Sequence, residues 1–384
     1  MIKAKVRLVA AQMTTGGSVI DVPFTDGDFS DTLNGVGSIS CTVPMYSAEA
    51  KVLQLGVTTA PSRTFLGVTV NDRFAQLGPI WKHAYSQDGK RLRITASSAL
   101  SYWNFRALLG PESDIVSLLT AEGKPNPATD FRVSGLDLGT IAKRAVQRAN
   151  DRPEQGLPMV YENDRVGTSE RNLLGSDLKS VGSFLGNISG VINGPDIKFE
   201  GEWNDAHDGV QVRMRTGTAA EPRLYQAAVH RFDTSVAERS TRHLEVEVDG
   251  QDMADMAWTV GGRNDDKAVI SRRYNPGLKA RGYPRLDYVD GSHNDAVLIG
   301  TLNDYGDETL RRGSTPRSFW SFEVRSDLSP FFGEFQVGDY CNVIVKDDPY
   351  IPDGTYLRRI VQISGNFKGK WIKVVTGETE WNNG

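Results

Sequence analysis

The sequence has 384 residues, of which 39% are hydrophobic and 24% charged; this balance excludes a disordered tail, and the absence of any run of about 18 apolar residues excludes a helical membrane span. Its 44 basic and 48 acidic residues leave a net charge of -4, too little to drive binding to a polyanion. At about 150 residues per domain the length predicts two to three domains.

Met1 to Leu8 alternates polar and apolar residues instead of building a hydrophobic segment after its positive charges. Neither a secretion signal nor a membrane anchor is read, which predicts synthesis and folding in a cytoplasm. Period-two alternation then dominates. In Ser38-Ile39-Ser40-Cys41-Thr42-Val43 the apolar side chains point one way and the hydroxyls the other, the pattern of a strand covered on one face. Arg91 to Ala96 repeats it after Asp88-Gly89, a strong hairpin signal because both residues tolerate positive φ. Residues 1–108 therefore read as an antiparallel β domain, with 11 basic and 7 acidic residues.

Beyond Gly110 the texture changes. Leu138, Ile141, Ala142, Ala145, Val146 and Ala149 fall on one helical face, predicting a helix over 137–149. A second helix is predicted from Asp177 along Leu178, Val181, Leu185, Ile188 and Ile192, stopped by Asn193-Gly194-Pro195. Ile197, Phe199 and Trp203 then alternate with charged residues as a strand. Residues 109–205 thus read as a mixed α/β domain, with 10 basic and 15 acidic residues.

Strands resume at Val210, Val212 and Met214 and again at Leu244, Val246 and Val248, ending at the turn Asp249-Gly250. A capping box at Ser292-His293-Asn294-Asp295 predicts a third helix carrying Leu298, Leu302 and Tyr305. Residues 206–312 read as a second β-rich domain with a helix. Val337-Gly338-Asp339-Tyr340 opens short strands through Cys341, Val343, Val345, Ile360, Val361, Ile372 and Val374, so 313–384 reads as a small C-terminal barrel or sandwich. The fold class expected is mainly β with an α+β insertion.

Chemistry is harder to find. The chain holds no GxSxG, Walker loop, dinucleotide fingerprint or HExxH. Cys41 and Cys341 lie far apart with no CxxC, so they are expected as free thiols on apolar strand faces. Gly261-Gly262-Arg263 lacks a strand-to-helix context and is read as a turn. In Trp203-Asn204-Asp205-Ala206-His207-Asp208 a carboxylate could orient an imidazole, but a polar turn accounts for the same residues. Asp26-Gly27-Asp28 with Asp31, and Asp287 with Asp290 and Asp295, offer oxygen ligands without the EF-hand spacing and are read as loop acids. Trp81, Tyr85, Tyr102 and Trp103 suit a core or an interface as well as stacking on bases or sugars. Arg272-Arg273, Lys279, Arg281 and Arg285 with Tyr274 and Tyr283 are the best local match to a nucleic-acid contact, or else a solvated loop offset by Asp265, Asp266, Asp287 and Asp290. No catalytic, cofactor-binding or metal-binding residue is assigned.

Taken together, the Ser38 to Pro44 strand, the Asp88-Gly89 hairpin leading into Ser97-Ser98-Ala99-Leu100-Ser101-Tyr102-Trp103, the Asn193-Gly194-Pro195-Asp196-Ile197-Lys198-Phe199 helix end and the closing Val337-Gly338-Asp339 segment resemble something known. The resemblance is to the tail hub proteins of long-tailed bacteriophages, especially minor tail proteins of phages that infect actinobacteria, and it spans nearly the whole chain. It implies a homotrimer at the virion tail tip, with two tube-like β-barrel domains per chain, no cofactor and no enzymatic activity. It also implies distal tail, tape-measure and fibre or spike proteins as partners, DNA only in transit through the lumen, and assembly in the host cytoplasm. Some relatives append a cell-wall hydrolase, whereas this chain stops at Gly384 soon after its last predicted strand. A receptor- or carbohydrate-binding tail protein and a glycoside hydrolase are the competing expectations.

Overall fold

The computed structural model describes residues 5–152, 156–235, 240–264, 267–293 and 298–379. Strands dominate, as the alternation predicts. One sheet runs through the strands Thr241–Asp249, Arg317–Arg325, Trp371–Gly377, Gly354–Asn366, Asp26–Thr32, Ser38–Pro44, Arg91–Ser97, Arg73–Ser86, Thr64–Val70, Val6–Gln12 and Ile20–Asp21, in that spatial order. Tyr340–Val345 branches from Gly354–Asn366 and carries His230–Asp233 in parallel. The path is open: among the described residues no barrel closes, and the strands of the expected barrels join in one continuous ladder.

Two long strands make this continuity. Arg73–Ser86 pairs with Thr64–Val70 through its first half and with Arg91–Ser97 through its second. Gly354–Asn366 pairs with Tyr340–Val345 at its start and with Asp26–Thr32 at its end. The second junction ties residues 1–108 to the C-terminal strands in one ladder. A single apolar core follows, in which Ile39, Cys41, Val43 and Ile94 share a cluster with Phe322, Cys341, Val343, Ile360 and Val374. The sequence offers no duplication to announce this strand-to-strand join.

A second core belongs to the α/β part. The helix Leu138–Asn150 starts where its periodicity predicts, with Asp137 accepting a hydrogen bond from the Thr140 amide at 2.6 Å. It buries Ile141, Ala142, Ala145 and Val146 against Phe184, Leu185, Val212 and Met214. The second helix is shorter than predicted, Val181–Ser189 capped by Ser180. Leu178 adopts a left-handed conformation after a short 3-10 turn and stays exposed, so the hydroxyl cap and not the apolar stripe sets the start. Ile197–Trp203 and Val210–Thr216 form the antiparallel hairpin that the 205/206 division would cut, and Met159–Tyr161 adds in parallel.

Residues 250–316 interrupt another hairpin. Thr241–Asp249 pairs with Arg317–Arg325 from Thr241 opposite Val324 to Asp249 opposite Arg317. Between them lies a separate sheet of Lys267–Tyr274, Met256–Asn264 and Asp287–His293, backed by the helix Ile299–Arg312. That helix begins later than predicted, because Ser292 and His293 end a strand; Asn294 and Asp295 lie outside the described residues.

Candidate interaction surfaces

Strand register assembles a continuous polar face. Arg242, Glu323, Lys373, Ser364, Ser30, Ser38 and Ser97 stand directly opposite one another in a single row crossing both halves of the large sheet. A neighbouring row holds Asn366, Asp28, Ser40, Thr95 and Lys82. These are the polar positions of the alternating strands, and their apolar neighbours fill the core. Several of the charged and polar groups are paired. Arg242 donates to Glu323 at 2.7 Å and lies 3.9 Å from the centroid of Trp371; Ser40 donates to Asp28 at 2.8 Å; Asn366 donates to Asp26 at 2.9 Å. A face of hydroxyls and paired charges offers no dense basic stripe to hold a polyanion.

A buried polar junction fixes the parts behind that face. Asp196 and Arg359 form an ion pair with both side chains fully buried. Asp196 also accepts from the Leu224 amide at 2.8 Å and from Asn34 Nδ2 at 3.1 Å, while Asn34 Oδ1 accepts from the Ile197 amide at 2.8 Å. Arg359 Nε donates to the Gly338 carbonyl at 3.1 Å. Gly338 has φ +98°, and a Cβ there would stand 2.4 Å from the Leu224 carbonyl oxygen, so glycine is required on both counts. Asp339 accepts from the Gln226 and Gln336 amides, each at 2.8 Å. The N-terminal sheet, the α/β part, the connection through 224–226 and the C-terminal strands thus meet at two carboxylates. Sequence reasoning assigned neither a role, although both sit inside quoted stretches, Asp196 after Asn193-Gly194-Pro195 and Asp339 closing Val337-Gly338.

A cleft of about 340 Å³ opens beside this junction, lined by Asp31, Arg73, Gln76, Lys198, Glu200 and Arg215 among others. Its charges pair loosely, Lys198 with Glu200 at 3.7 Å and Arg215 with Glu200 at 3.8 Å. Burial raises the Asp31 carboxyl above its ordinary value, against the opposing pull of Lys198.

The singled-out residues disperse. Asp26 and Asp28 lie on a strand and not a loop and share one face; Asp31, opposite Ile363, points to the other side of it, so alternation separates it from the other two acids. Asp287 and Asp290 likewise belong to a strand, and Asp295 lies outside the described residues. Among the described residues no three His, Cys, Asp or Glu side chains converge. His207 sits at a turn with φ +56°, where Asn204 Oδ1 accepts from the Asp208 and Gly209 amides. Gly261 and Gly262 are strand residues beside a register shift and not a turn. Trp103 is fully buried and Trp81 donates to Ser101 at 2.9 Å, whereas Tyr85 is exposed. Arg272, Arg273 and Tyr274 form a strand and not a solvated loop, and Arg273 is claimed by Asp307 at 2.5 and 2.9 Å. Asp265 and Asp266 lie outside the described residues.

The fold as a whole is that of phage tail proteins. The chain is similar to a tail protein from Neisseria meningitidis, at 10% identity with a TM-score of 0.56 and 98% of each chain covered. It is equally similar to the 43 kDa tail protein of prophage MuSo2 from Shewanella oneidensis, at 10% identity and TM-score 0.56, covering 98% of this chain and 99% of that one. The prophage tail protein gp18 from Listeria monocytogenes aligns at 10% identity and TM-score 0.50, over 97% of this chain and 94% of the other. No protein-family model matches the sequence, and a search of curated proteins finds no relative.

Proposed function

We propose that this protein is a structural tail hub: a homotrimeric ring at the tip of a phage tail that joins the tail tube to the spike or fibres and lines the DNA exit channel. The observation that carries the reading is the join of Asp26–Thr32 to Gly354–Asn366, which sets an N-terminal and a C-terminal half-sheet side by side in one chain with a shared polar face. Residues 1–108 supply one tube-like unit, and the chain after about 206 supplies the other; 109–205 and the insertion project from them. Three chains then present six units to a six-fold tube above. Edge strands favour symmetric neighbours, because Thr241–Asp249 at the end of the described path leaves one row of backbone groups for a partner.

The polar face suits a lumen. Paired charges and hydroxyls wet the wall without gripping phosphate, so DNA passes through without being retained. Distal tail, tape-measure and fibre or spike proteins are the partners this position implies, with assembly in the host cytoplasm and no catalysis by the ring. The actinobacteriophage type rests on the sequence resemblance alone. Quantitative mass spectrometry of purified virions tests the stoichiometry: three copies per particle are expected, and six copies or a single copy would contradict the hub. A receptor-binding tail protein would instead adsorb to host cells or glycans as the purified chain.

A further inference from the structure

The inserted sheet leaves most of one face uncovered, although Met256 on that side is fully buried beneath Arg272, and the helix Ile299–Arg312 covers the other. On that face Arg273 forks onto Asp307, the Ser271 hydroxyl donates to Asn303 at 2.6 Å, and Leu310 of the helix Ile299–Arg312 packs with Ala254 and Ala257. Strand alternation sends the neighbouring side chains the other way. Register places Trp258 opposite Arg272, Val260 opposite Ile270, and Val289 beside Trp258. Ile270 is 51% exposed, Val289 69% and Tyr274 45%. The Arg272 guanidinium lies 5.4 Å from the Trp258 ring centroid, and that of Arg285 lies 5.6 Å from Tyr274.

We propose that this open face docks an acidic amphipathic helix of a partner protein. The covered face displays the same recognition one residue out of phase: an arginine for a helical carboxylate beside an apolar floor. On the open face Arg272 and Arg285 take the place of Arg273, and Val260, Ile270 and Val289 supply the floor. Stacking on rings holds the guanidiniums in place; Arg272 turns its Nε to Met256 Sδ at 3.5 Å and Arg285 its Nε to Asp287 at 3.5 Å, which leaves their terminal nitrogens to meet further carboxylates. Aliphatic side chains at the centre of the patch call for an apolar complement, which a protein helix carries and a nucleic acid lacks. Aromatic and arginine anchors are the residue types that dominate such interfaces, and a three-layer arrangement completes the burial that one helix begins.

The test uses the full chain and fluorescence anisotropy of stapled helical peptides bearing a leucine stripe, flanked by glutamates in one and lysines in the other, with oligothymidylate as a third probe. The glutamate peptide is expected to bind at least about tenfold more tightly than the lysine peptide. Arg272→Glu with Arg285→Glu should remove about tenfold of that affinity, and Val289→Ser should weaken binding without altering the salt dependence. Circular dichroism of each variant confirms that the sheet is retained. Equal binding of the two peptides, binding indifferent to the charge reversals, no binding, or tighter binding of oligothymidylate would each overturn the proposal. Any of these results would leave the ring assignment untouched.

Discussion

Asp196→Ala is the most revealing single change in the core of the account. The substitution leaves Arg359, fully buried, without its counter-charge, and removes the acceptor of the Leu224 amide and of Asn34 Nδ2. Breaking a buried ion pair from one side costs about 3–5 kcal/mol, because the surviving charge stays desolvated. Each stranded neutral donor adds about 1 kcal/mol at least. Arg359 keeps the Gly338 carbonyl at 3.1 Å, so the low end of that range applies, and with the two stranded donors a loss of about 5 kcal/mol is expected. Urea unfolding followed by circular dichroism measures it. The double variant Asp196→Ala/Arg359→Met removes both charges and should recover more than about 1 kcal/mol relative to the sum of the single changes. Asp21→Ala, at the exposed pair with Arg7 at 2.9 Å, serves as control at below about 1 kcal/mol. An Asp196→Ala loss no larger than the control, or strict additivity in the double variant, would refute the junction as the tie between the parts.

Further predictions concern the thiols, a helix cap and catalysis. Burial pushes the Cys41 and Cys341 thiols up to about 12, so Ellman's reagent should label neither before unfolding; rapid labelling of either in the native protein would contradict this. Burial would raise the Asp137 carboxyl, but hydrogen bonds from Thr140 and Arg165 outweigh it and hold the group below its ordinary 3.8. The depressed folded value means its stabilisation is present above about pH 4 and lost as pH falls through the folded pKa. Asp137→Ala should therefore cost about 1–2 kcal/mol at neutral pH, with the gap to wild type closing in acid; a gap that persists undiminished at pH 2 would count against it. Zymography on peptidoglycan and arabinogalactan should show no clearing, and a cleared band abolished by replacing one acidic residue would restore the hydrolase reading.

Alternation made the individual strands legible. Ser38–Pro44, Arg91–Ser97, Val210–Thr216 and Tyr340–Val345 each lie where hydroxyls or charges alternate with Ile, Val, Leu or Cys. Pairing was less legible, because a strand records which face is buried and not which neighbour it meets. Nothing local to Asp28 names Asn366 as its partner across the sheet. Glycine misled at Gly261-Gly262, where a register shift within a strand reads like a turn. The second helix is shorter than its apolar stripe, because Leu178 precedes the Ser180 cap and Ile192 follows the Gly190 end. As for function, the polar row from Arg242 to Ser97 is invisible in sequence, since each strand contributes only one of its members. The junction was half visible: Asp196 and Asp339 lie in the stretches that carried the resemblance, but the arginine that pairs with Asp196 is one of two adjacent arginines, Arg358 and Arg359, in a long strand.

The central claim is a three-chain ring whose wall is the shared polar face. A reconstruction of the virion tail tip at side-chain detail tests it most directly. Three copies around the axis are expected, each contributing both half-sheets, with Lys373, Ser364, Ser30 and Ser38 turned toward the channel. A ring of six chains, a single peripheral copy, or a subunit whose polar row faces away from the axis would contradict it.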